Sequence, residues 1–314
     1  MRKLLAALAV FPVLAFGQSY PAKPVRLIVP FPPGGTTDLI ARMVQPKFQE
    51  YMGQNVLIEN RAGAGGSVGA AEAARAAPDG YTLLMVFDTH AVNHHIFKMA
   101  PDPFKELEHI SLMVTSPSAL VAVTSYPPNN IREIVAHAKA NPEKVTYSTP
   151  GSGSSNHLAA LLFEQHAGVK LTHVAYKGGG PMVQALLGQQ VNITFISMPL
   201  ILPHIKSGRV KGIATGGKKR APQLPDLPTF SEAYPGFEQV SWFGILAPVK
   251  VPRDVITRIH REMTRTLKTP EVAQRLTEQG FDIVASSPDE FLRYVQGESD
   301  KLGKLIRDNK IVAE

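Results

Sequence analysis

Short apolar runs alternate along the chain with longer stretches in which apolar residues recur at helical spacing. The short runs are bounded by glycine, proline or polar residues, which is typical of buried β-strands. They predict nine strands, at residues 25–29, 56–58, 82–86, 120–123, 145–148, 171–174, 193–196, 210–215 and 243–247. This alternation of strands and helices favours an α/β fold with largely parallel sheets.

The longer stretches predict eight helices. In residues 38–51, for example, Leu39, Met43 and Phe48 fall on one helical face. Residues 66–77 form an alanine-rich helix that a Pro-Asp-Gly turn closes. The other predicted helices are residues 131–140, 157–167, 181–187, 253–267, 271–279 and 288–308.

The composition is that of a globular protein and excludes several kinds of site. The 314 residues are 44% apolar and 19% charged, enough for one large or two medium domains with full cores. The chain has no cysteine. Disulfides, thiolate metal sites, iron–sulfur clusters, a cysteine nucleophile and a lipid-modified cysteine anchor are therefore excluded.

The first residues predict export. Arg2 and Lys3 precede an apolar run at residues 4–16, and small residues follow at Ala15 and Gly17. A basic start, a brief apolar core and small residues are the pattern of a secretory signal, and a membrane span would need about 20 apolar residues. We expect residues 1–17 to be a signal peptide that is cleaved near Gly17, which places the mature protein in the periplasm.

The charge pattern argues against nucleic-acid binding. Removing the two basic residues of the signal lowers the formal net charge from +7 to +5. The one dense basic cluster, residues 218–220, has no interleaved aromatic residues and is interpreted as a solvated loop.

Two segments predict crossings between domains. Residues 124–128 follow a predicted strand directly, and residues 222–235 are rich in proline. They divide the mature chain into a first lobe, residues 18–125 plus 241–314, and a second lobe, residues 126–240. Ligands of open α/β sheets bind at the carboxyl ends of the strands, so the loops after the strands are the candidate site.

Four glycine-rich loops each follow a predicted strand and precede a predicted helix, at residues 30–38, 60–69, 148–157 and 176–181. In such a loop, unpaired backbone N–H groups and the positive end of a helix can bind an anion. The first loop alone also fits a stiff turn with a capped helix, because Asp38 already complements the helix end. Together, the four loops predict a donor-lined cleft.

Enzyme and metal sites find little support. Val68 stands where the dinucleotide fingerprint needs its last glycine. A secreted hydrolase that uses Ser154 or Ser155 with His157 stays as an alternative, although the serines do not sit in a Gly-x-Ser-x-Gly elbow. His90 and His94 have helical ligand spacing, but no motif supplies a carboxylate ligand. No metal and no cofactor are predicted.

Eight segments resemble signatures of one family, the solute-binding receptors of tripartite tricarboxylate transporters, also called the Bug (Bordetella uptake gene) family. They follow the family order over nearly the whole mature chain: PFPPGGTTD (30–38), NRAGAGG (60–66), PDGYTL (78–83), YSTPGSGS (147–154), YKG (176–178), LPDLPT (224–229), WFG (242–244) and AP (247–248).

The resemblance implies a two-lobed periplasmic binding protein of type II-like α/β fold, with a mostly parallel sheet flanked by helices in each lobe. Such a protein is not an enzyme. It closes around a small organic carboxylate, held chiefly by backbone amides and hydroxyls, and delivers it to the membrane permease subunits. We expect a monomer. A sensor that presents its closed form to a signalling partner would use the same closure and stays as an alternative.

The resemblance also implies the ligand-binding residues. These are Phe31, Pro33, Gly34, Gly35, Thr36, Thr37, Asp38, Asp88, Thr89, Gly151, Ser152, Gly153, Ser154, Ser155, His157, Lys177, Gly178 and Gly179. Mono- and dicarboxylates, amino acids and aromatic acids would all satisfy amide-lined loops. Four larger apolar residues either border the cleft or belong to the core: Phe31, Phe87, Phe195 and Trp242.

Asp88 departs from the family pattern, in which small or hydroxyl residues are usual. A carboxylate there would repel an anionic ligand unless it pairs with a ligand donor or is protonated. One hypothesis is that Asp88 selects a ligand that bears a donor group. The alternative is that Asp88 points away and caps a turn.

Overall fold

The computed structural model describes residues 20–98, 100–309 and 311. The predicted signal peptide, residues 1–17, lies outside them. Among the described helices, none combines the length and apolar character that crossing a membrane requires.

The described residues form ten strands and eleven α-helices. The strands are β1 (Val25–Val29), β2 (Val56–Asn60), β3 (Thr82–Phe87), β4 (Leu107–Val123), β5 (Thr146–Thr149), β6 (Thr172–Ala175), β7 (Ile193–Ser197), β8 (Val210–Thr215), β9 (Val240–Pro248) and β10 (Asp282–Ile283). The helices are α1 (Thr36–Met52), α2 (Ser67–Ala74), α3 (Asn93–Ile96), α4 (Ile131–Ala140), α5 (Ser155–Ala167), α6 (Gly179–Leu187), α7 (Met198–Lys206), α8 (Phe230–Ala233), α9 (Arg253–Lys268), α10 (Pro270–Glu278) and α11 (Pro288–Asp308). Two 3₁₀ turns, Ala64–Gly66 and Asp88–Ala91, follow β2 and β3.

The strands build two lobes that share β4. In the first lobe β1 pairs in parallel with β2 and β3, and β9 lies antiparallel between β3 and β4. In the second lobe β5 pairs in parallel with β6 and β7, while β7 and β8 run antiparallel to β4. The change of partner falls between Pro117, which pairs with Val240, and Ser118, which pairs with Ser197.

Each lobe buries its own apolar residues. In the first lobe, α1 and α9 cover one sheet face around Phe48 and Ile259, and α11 covers the other around Trp242 and Phe291. The core of the second lobe gathers around Phe195. Helix burial of this kind fixes the strand ends, and with them the loops that follow the strands.

All nine predicted strands are present, and the two-lobed α/β architecture is confirmed. The apolar pattern predicted only residues 120–123 of β4 and missed residues 107–119, where polar residues such as Ser111 and Ser116 interrupt the pattern although they are buried. It also missed the short strand β10, the short helices α3 and α8, and α7, which contains two prolines. The first strand group is parallel as expected, and the antiparallel pairs arise at the strands that cross between the lobes.

Candidate functional site

A cavity lies between the two lobes and is lined by both. The first lobe contributes Phe31, Pro32, Pro33, Gly35, Thr36, Thr37 and Phe87. The second lobe contributes Pro150, Asn156, Gly179, Gly180, Met182, Ile196, Ser197 and Leu200. None of these described lining residues carries a charged side chain. The cavity therefore offers backbone groups, hydroxyls, one amide side chain and apolar surface.

The first lobe directs the N-terminus of α1 at the cavity. The chain leaves β1, turns at Gly34 with φ of 82°, and enters α1 with Gly35 as N-cap and no side chain capping the first turn. Thr36 and Thr37 are buried and line the cavity. The first N–H groups of a helix have no acceptor within the helix, and they carry its positive end.

Asp38 holds this loop in place rather than lining the cavity. Its Oδ2 accepts the Gly34 N–H at 3.0 Å and Arg42 Nε at 2.9 Å, and its Oδ1 accepts Asn60 Nδ2 at 3.0 Å. Burial opposes ionisation of Asp38, but the bonds from Arg42, Gly34 and Asn60 outweigh it and keep the pKa below the usual value. The carboxylate thus fixes the path of the loop.

Three helices of the second lobe also direct their N-termini at the cavity. Asn156 in the first turn of α5 lines it, and its Nδ2 donates to the Phe195 carbonyl at 2.8 Å. Gly179 and Gly180 open α6, and Ser197 is the N-cap of α7. Neither α6 nor α7 has a side-chain cap. With α1, four positive helix ends converge on one cavity, which is an arrangement suited to an anion.

His157 organises the loop before α5. Its Nδ1 accepts the Gly153 N–H at 3.0 Å, and its ring stacks on His173 with centroids 4.0 Å apart. Burial, helped by His173, lowers the pKa of His157 to about 3, so the ring is neutral. The Ser154 hydroxyl accepts the His157 backbone N–H at 3.2 Å as helix cap. The His157 ring and the Ser154 hydroxyl each make a hydrogen bond that stabilises the loop or the helix start. This arrangement gives no support to the hydrolase alternative.

Six of the predicted site residues line the cavity: Phe31, Pro33, Gly35, Thr36, Thr37 and Gly179. The others lie around it. Lys177 is exposed, and Thr89 Oγ1 donates to the Gly65 carbonyl at 2.9 Å. Gly178 approaches Pro32 from the opposite lobe. The remaining predicted residues do not line the cavity: Gly34, Asp38, Asp88, Gly151, Ser152, Gly153, Ser154, Ser155 and His157.

Several lining residues lie outside the glycine-rich loops from which the cleft was predicted. The end of β7 has no glycine loop, yet Ile196, Ser197 and Leu200 line the cavity. Their place directly after a predicted strand was the available signal. Loop 60–69 was expected at the cleft but does not line the cavity; its Gly66 backs the Phe31 ring instead.

The four larger apolar residues divide into two pairs. Phe31 and Phe87 line the cavity, with ring centroids 5.8 Å apart in an edge-to-face contact. Phe195 and Trp242 are fully buried core residues.

Asp88 is buried behind the cavity, with 2% of its surface exposed. Neither carboxyl oxygen completes a hydrogen bond to the described residues. Burial raises the pKa of Asp88 well above its usual value and nearby Glu298 raises it further, while the Ser155 and Ser241 hydroxyls and the Thr89 N–H oppose the shift.

Comparison with known proteins gives consistent matches. The family model described as "Tripartite tricarboxylate transporter family receptor" matches residues 40–311. The chain is 33% identical to protein BugT of Bordetella pertussis over 320 residues, which cover 98% of each chain. It superposes on the structure of the periplasmic binding protein BugD with a TM-score of 0.88 at 32% identity, covering 94% of this chain and 100% of BugD. For MatC of Rhodopseudomonas palustris with bound malate, the TM-score is 0.86 at 30% identity, covering 91% of this chain and 100% of MatC.

Proposed function

This chain belongs to the family of tripartite tricarboxylate transporter receptors, and from this premise we propose that its cleft captures a small organic carboxylate for delivery to the membrane subunits of such a transporter. The bound malate of MatC supports a carboxylate ligand. The observation that carries the proposal is the convergence of four helix N-termini, those of α1, α5, α6 and α7, on a cavity whose described lining has no charged side chain. Such amide groups stabilise a carboxylate without requiring an arginine.

Capture works by closure of the lobes. Contacts already cross the cleft: a Cβ built on Gly178 would lie 3.3 Å from Pro32 Cγ, and one built on Gly153 would meet Ile96 Cδ1. A ligand that contacts α1 on one side and α6 on the other binds the closed form more tightly than the open form. Binding therefore shifts the population toward the closed form. The closed form is the one that the membrane subunits receive.

The expected division, residues 18–125 plus 241–314 and residues 126–240, puts one boundary after β4; we propose that the crossing lies earlier, between Pro117 and Ser118 of β4, and in the segment before β9. Three backbone hydrogen bonds connect the chain segments at the crossing. The Ser118 N–H donates to the Gln239 carbonyl at 3.1 Å, the Gly216 N–H to the Ser118 carbonyl at 2.7 Å, and the Gln239 N–H to the Gly216 carbonyl at 2.9 Å. These bonds support a hinge at this point. The protein acts as a monomer in the periplasm after cleavage of its signal near Gly17.

Removing one cavity hydroxyl tests the proposal. Thr37→Val keeps the side-chain shape but deletes a hydroxyl of the cavity lining. Hydrogen bonds to charged groups contribute about 1.5–3 kcal/mol, so we expect the dissociation constant for the bound carboxylate to rise roughly tenfold or more. Calorimetry on mature protein, unfolded and refolded to remove carried-over ligand, measures it with succinate, malate, glutarate and adipate.

Thr82→Val is the matched control, because Thr82 is a buried threonine of β3 that does not line the cavity. It should bind as the wild type does. Refolded wild-type protein that binds neither these acids nor acids of the same length that carry an amine would contradict the proposed function.

A further inference from the structure

Asp88 stands in a polar cluster that adjoins the cavity and shares one residue, Ser197, with its lining. The Asp88 cluster consists of Asp88, Ser155, Ser197 and Ser241. All four are at most 3% exposed. Ser155 and Ser241 place their hydroxyls beside the Asp88 carboxyl, and the Ser197 and Ser241 hydroxyls are 3.2 Å apart.

Three cavity-lining residues bracket this cluster. Phe87 directly precedes Asp88, Asn156 directly follows Ser155, and Ser197 belongs to both the lining and the cluster. The Asp88 cluster is therefore the layer next to the cavity wall formed by β3, α5 and α7. It brings together Asp88 and Ser241 from the first lobe with Ser155 and Ser197 from the second.

The cluster holds buried polar groups that complete no hydrogen bond, although two serine hydroxyls lie beside the carboxyl. Both oxygens of Asp88 and the Ser155 Oγ are buried and lack a hydrogen-bond partner among the described residues. A buried polar group without a partner is costly, and such groups in folded proteins call for water, an ion or a ligand. Beside the Asp88 carboxyl a ligand carboxylate would be repelled, whereas a cationic donor would be attracted and would favour the ionised form of Asp88.

We propose that the Asp88 cluster is a subsite for the ammonium group of the ligand, so that the receptor selects an amino acid over a simple carboxylic acid. This rests on the proposed carboxylate-binding function. The ligand carboxylate lies at the helix N-termini, and its ammonium group faces Asp88. An ammonium group has three N–H donors, and these can bond to the two Asp88 oxygens, neither of which completes a hydrogen bond to the described residues. The cleft thus complements both charges of a zwitterion.

Matched acids that differ at one carbon test the subsite. Succinate, malate and aspartate share a four-carbon dicarboxylate skeleton and differ in carrying hydrogen, hydroxyl or ammonium at C2; glutarate with glutamate, and propionate with β-alanine, extend the comparison to other lengths. Calorimetry on refolded wild-type protein should show at least one amino acid binding about tenfold or more tightly than its partner without the amine. Asp88→Asn removes the charge while keeping the size, and should reduce that preference to within about threefold.

Glu298→Gln is the control for a general electrostatic effect, since it removes the neighbouring carboxyl and leaves Asp88 intact. It should keep the preference. Loss of the preference in Glu298→Gln, an unchanged preference in Asp88→Asn, or an equal loss of affinity for amino and simple acids would each overturn the subsite. If wild-type protein binds simple acids as tightly as the matching amino acids, the subsite is also overturned, although the receptor function is not. Failure of every acid to bind overturns the function itself.

Discussion

Single side chains in this cleft owe their roles to the conformation of the loops around them. Asp38 was expected at the ligand, yet its carboxylate binds Asn60, 22 residues away, and the loop amide of Gly34. His157 was expected there too, and its ring accepts the Gly153 N–H instead. A motif places such residues at the site, but whether they face the ligand or hold the loop depends on tertiary contacts that the pattern does not encode.

The loop-holding role of Asp38 can be measured through stability. Asp38→Asn puts an NH₂ group or a weaker acceptor opposite the N–H of Gly34 and the guanidinium of Arg42. We expect the free energy of unfolding to fall by about 2–3 kcal/mol, because the part-buried N–H donors of Gly34 and Asn60 lose their charged acceptor. Since hydrogen bonds lower the pKa of Asp38, its contribution is present at neutral pH and is lost as the pH falls below about 4. Urea unfolding at pH 7 provides the measurement.

Arg42→Gln separates the ion pair from the loop contact. The Arg42 side chain is 56% exposed, so its removal should cost less than about 1 kcal/mol. An equal cost for the two variants would show that the ion pair, rather than the loop amide, accounts for the effect of Asp38.

Whole elements were easier to predict than individual contacts. Apolar runs located at least part of every strand except β10, because burial on two faces leaves a continuous pattern. The glycine loops located the N-termini of α1, α5 and α6. They missed α7, where Ser197 and Pro199 begin a helix without glycine. They also placed loop 60–69 at the cleft, whereas its glycines allow close packing against neighbouring side chains. A glycine in the sequence indicates that another group can approach the backbone closely. Only the fold shows whether that group is a ligand or a neighbouring side chain.

The segment after β3 and the start of β4 carry buried histidines whose protonation opposes folding. Burial lowers the pKa of His90 to about 3 and that of His109 to about 4. The unfolded chain takes up these protons near pH 6.5. Stability is therefore full above pH 6.5 and falls as the pH drops toward 4, by up to about 1.4 kcal/mol per pH unit for each histidine.

Denaturant unfolding between pH 6.5 and 4.5 checks this slope. His109→Leu should flatten it by up to about 1.4 kcal/mol per pH unit, and His166→Gln, which alters an exposed ring on α5, should leave it unchanged. A His109→Leu slope equal to that of the wild type would contradict the assignment.

At the scale of the whole molecule, function depends on how closely the two lobes approach. The sequence predicted two lobes, but it could not show that Gly178 of one meets Pro32 of the other, because the two loops lie on separate chain segments. Gly178 has φ of 107°, and the space for a Cβ ends at Pro32. Closure and backbone geometry thus require glycine at the same position.

Gly178→Ala should hinder closure. Alanine at this φ costs about 1–2 kcal/mol in strain, and its Cβ presses on Pro32. We expect weaker carboxylate binding and a ligand-bound radius of gyration that stays nearer the value of the ligand-free protein, measured by small-angle X-ray scattering. Gly168→Ala is the matched control: Gly168 also has positive φ, of 63°, with nothing within 4 Å of its Cβ position. If Gly168→Ala weakened binding equally, strain alone would explain the result.

The position of β9 has a consequence for the order in which the protein can be made. This strand, Val240–Pro248, lies between β3 and β4 and pairs with both. Until the ribosome has added residues 240–248, the strand that lies between β3 and β4 is missing. The edges of β3 and β4 that pair with β9 therefore stay open. The part of the sheet that is translated first is therefore completed almost last. A nonsense mutation near codon 240 would remove less than a quarter of the chain and yet leave the lobe that begins at the N-terminus unfinished.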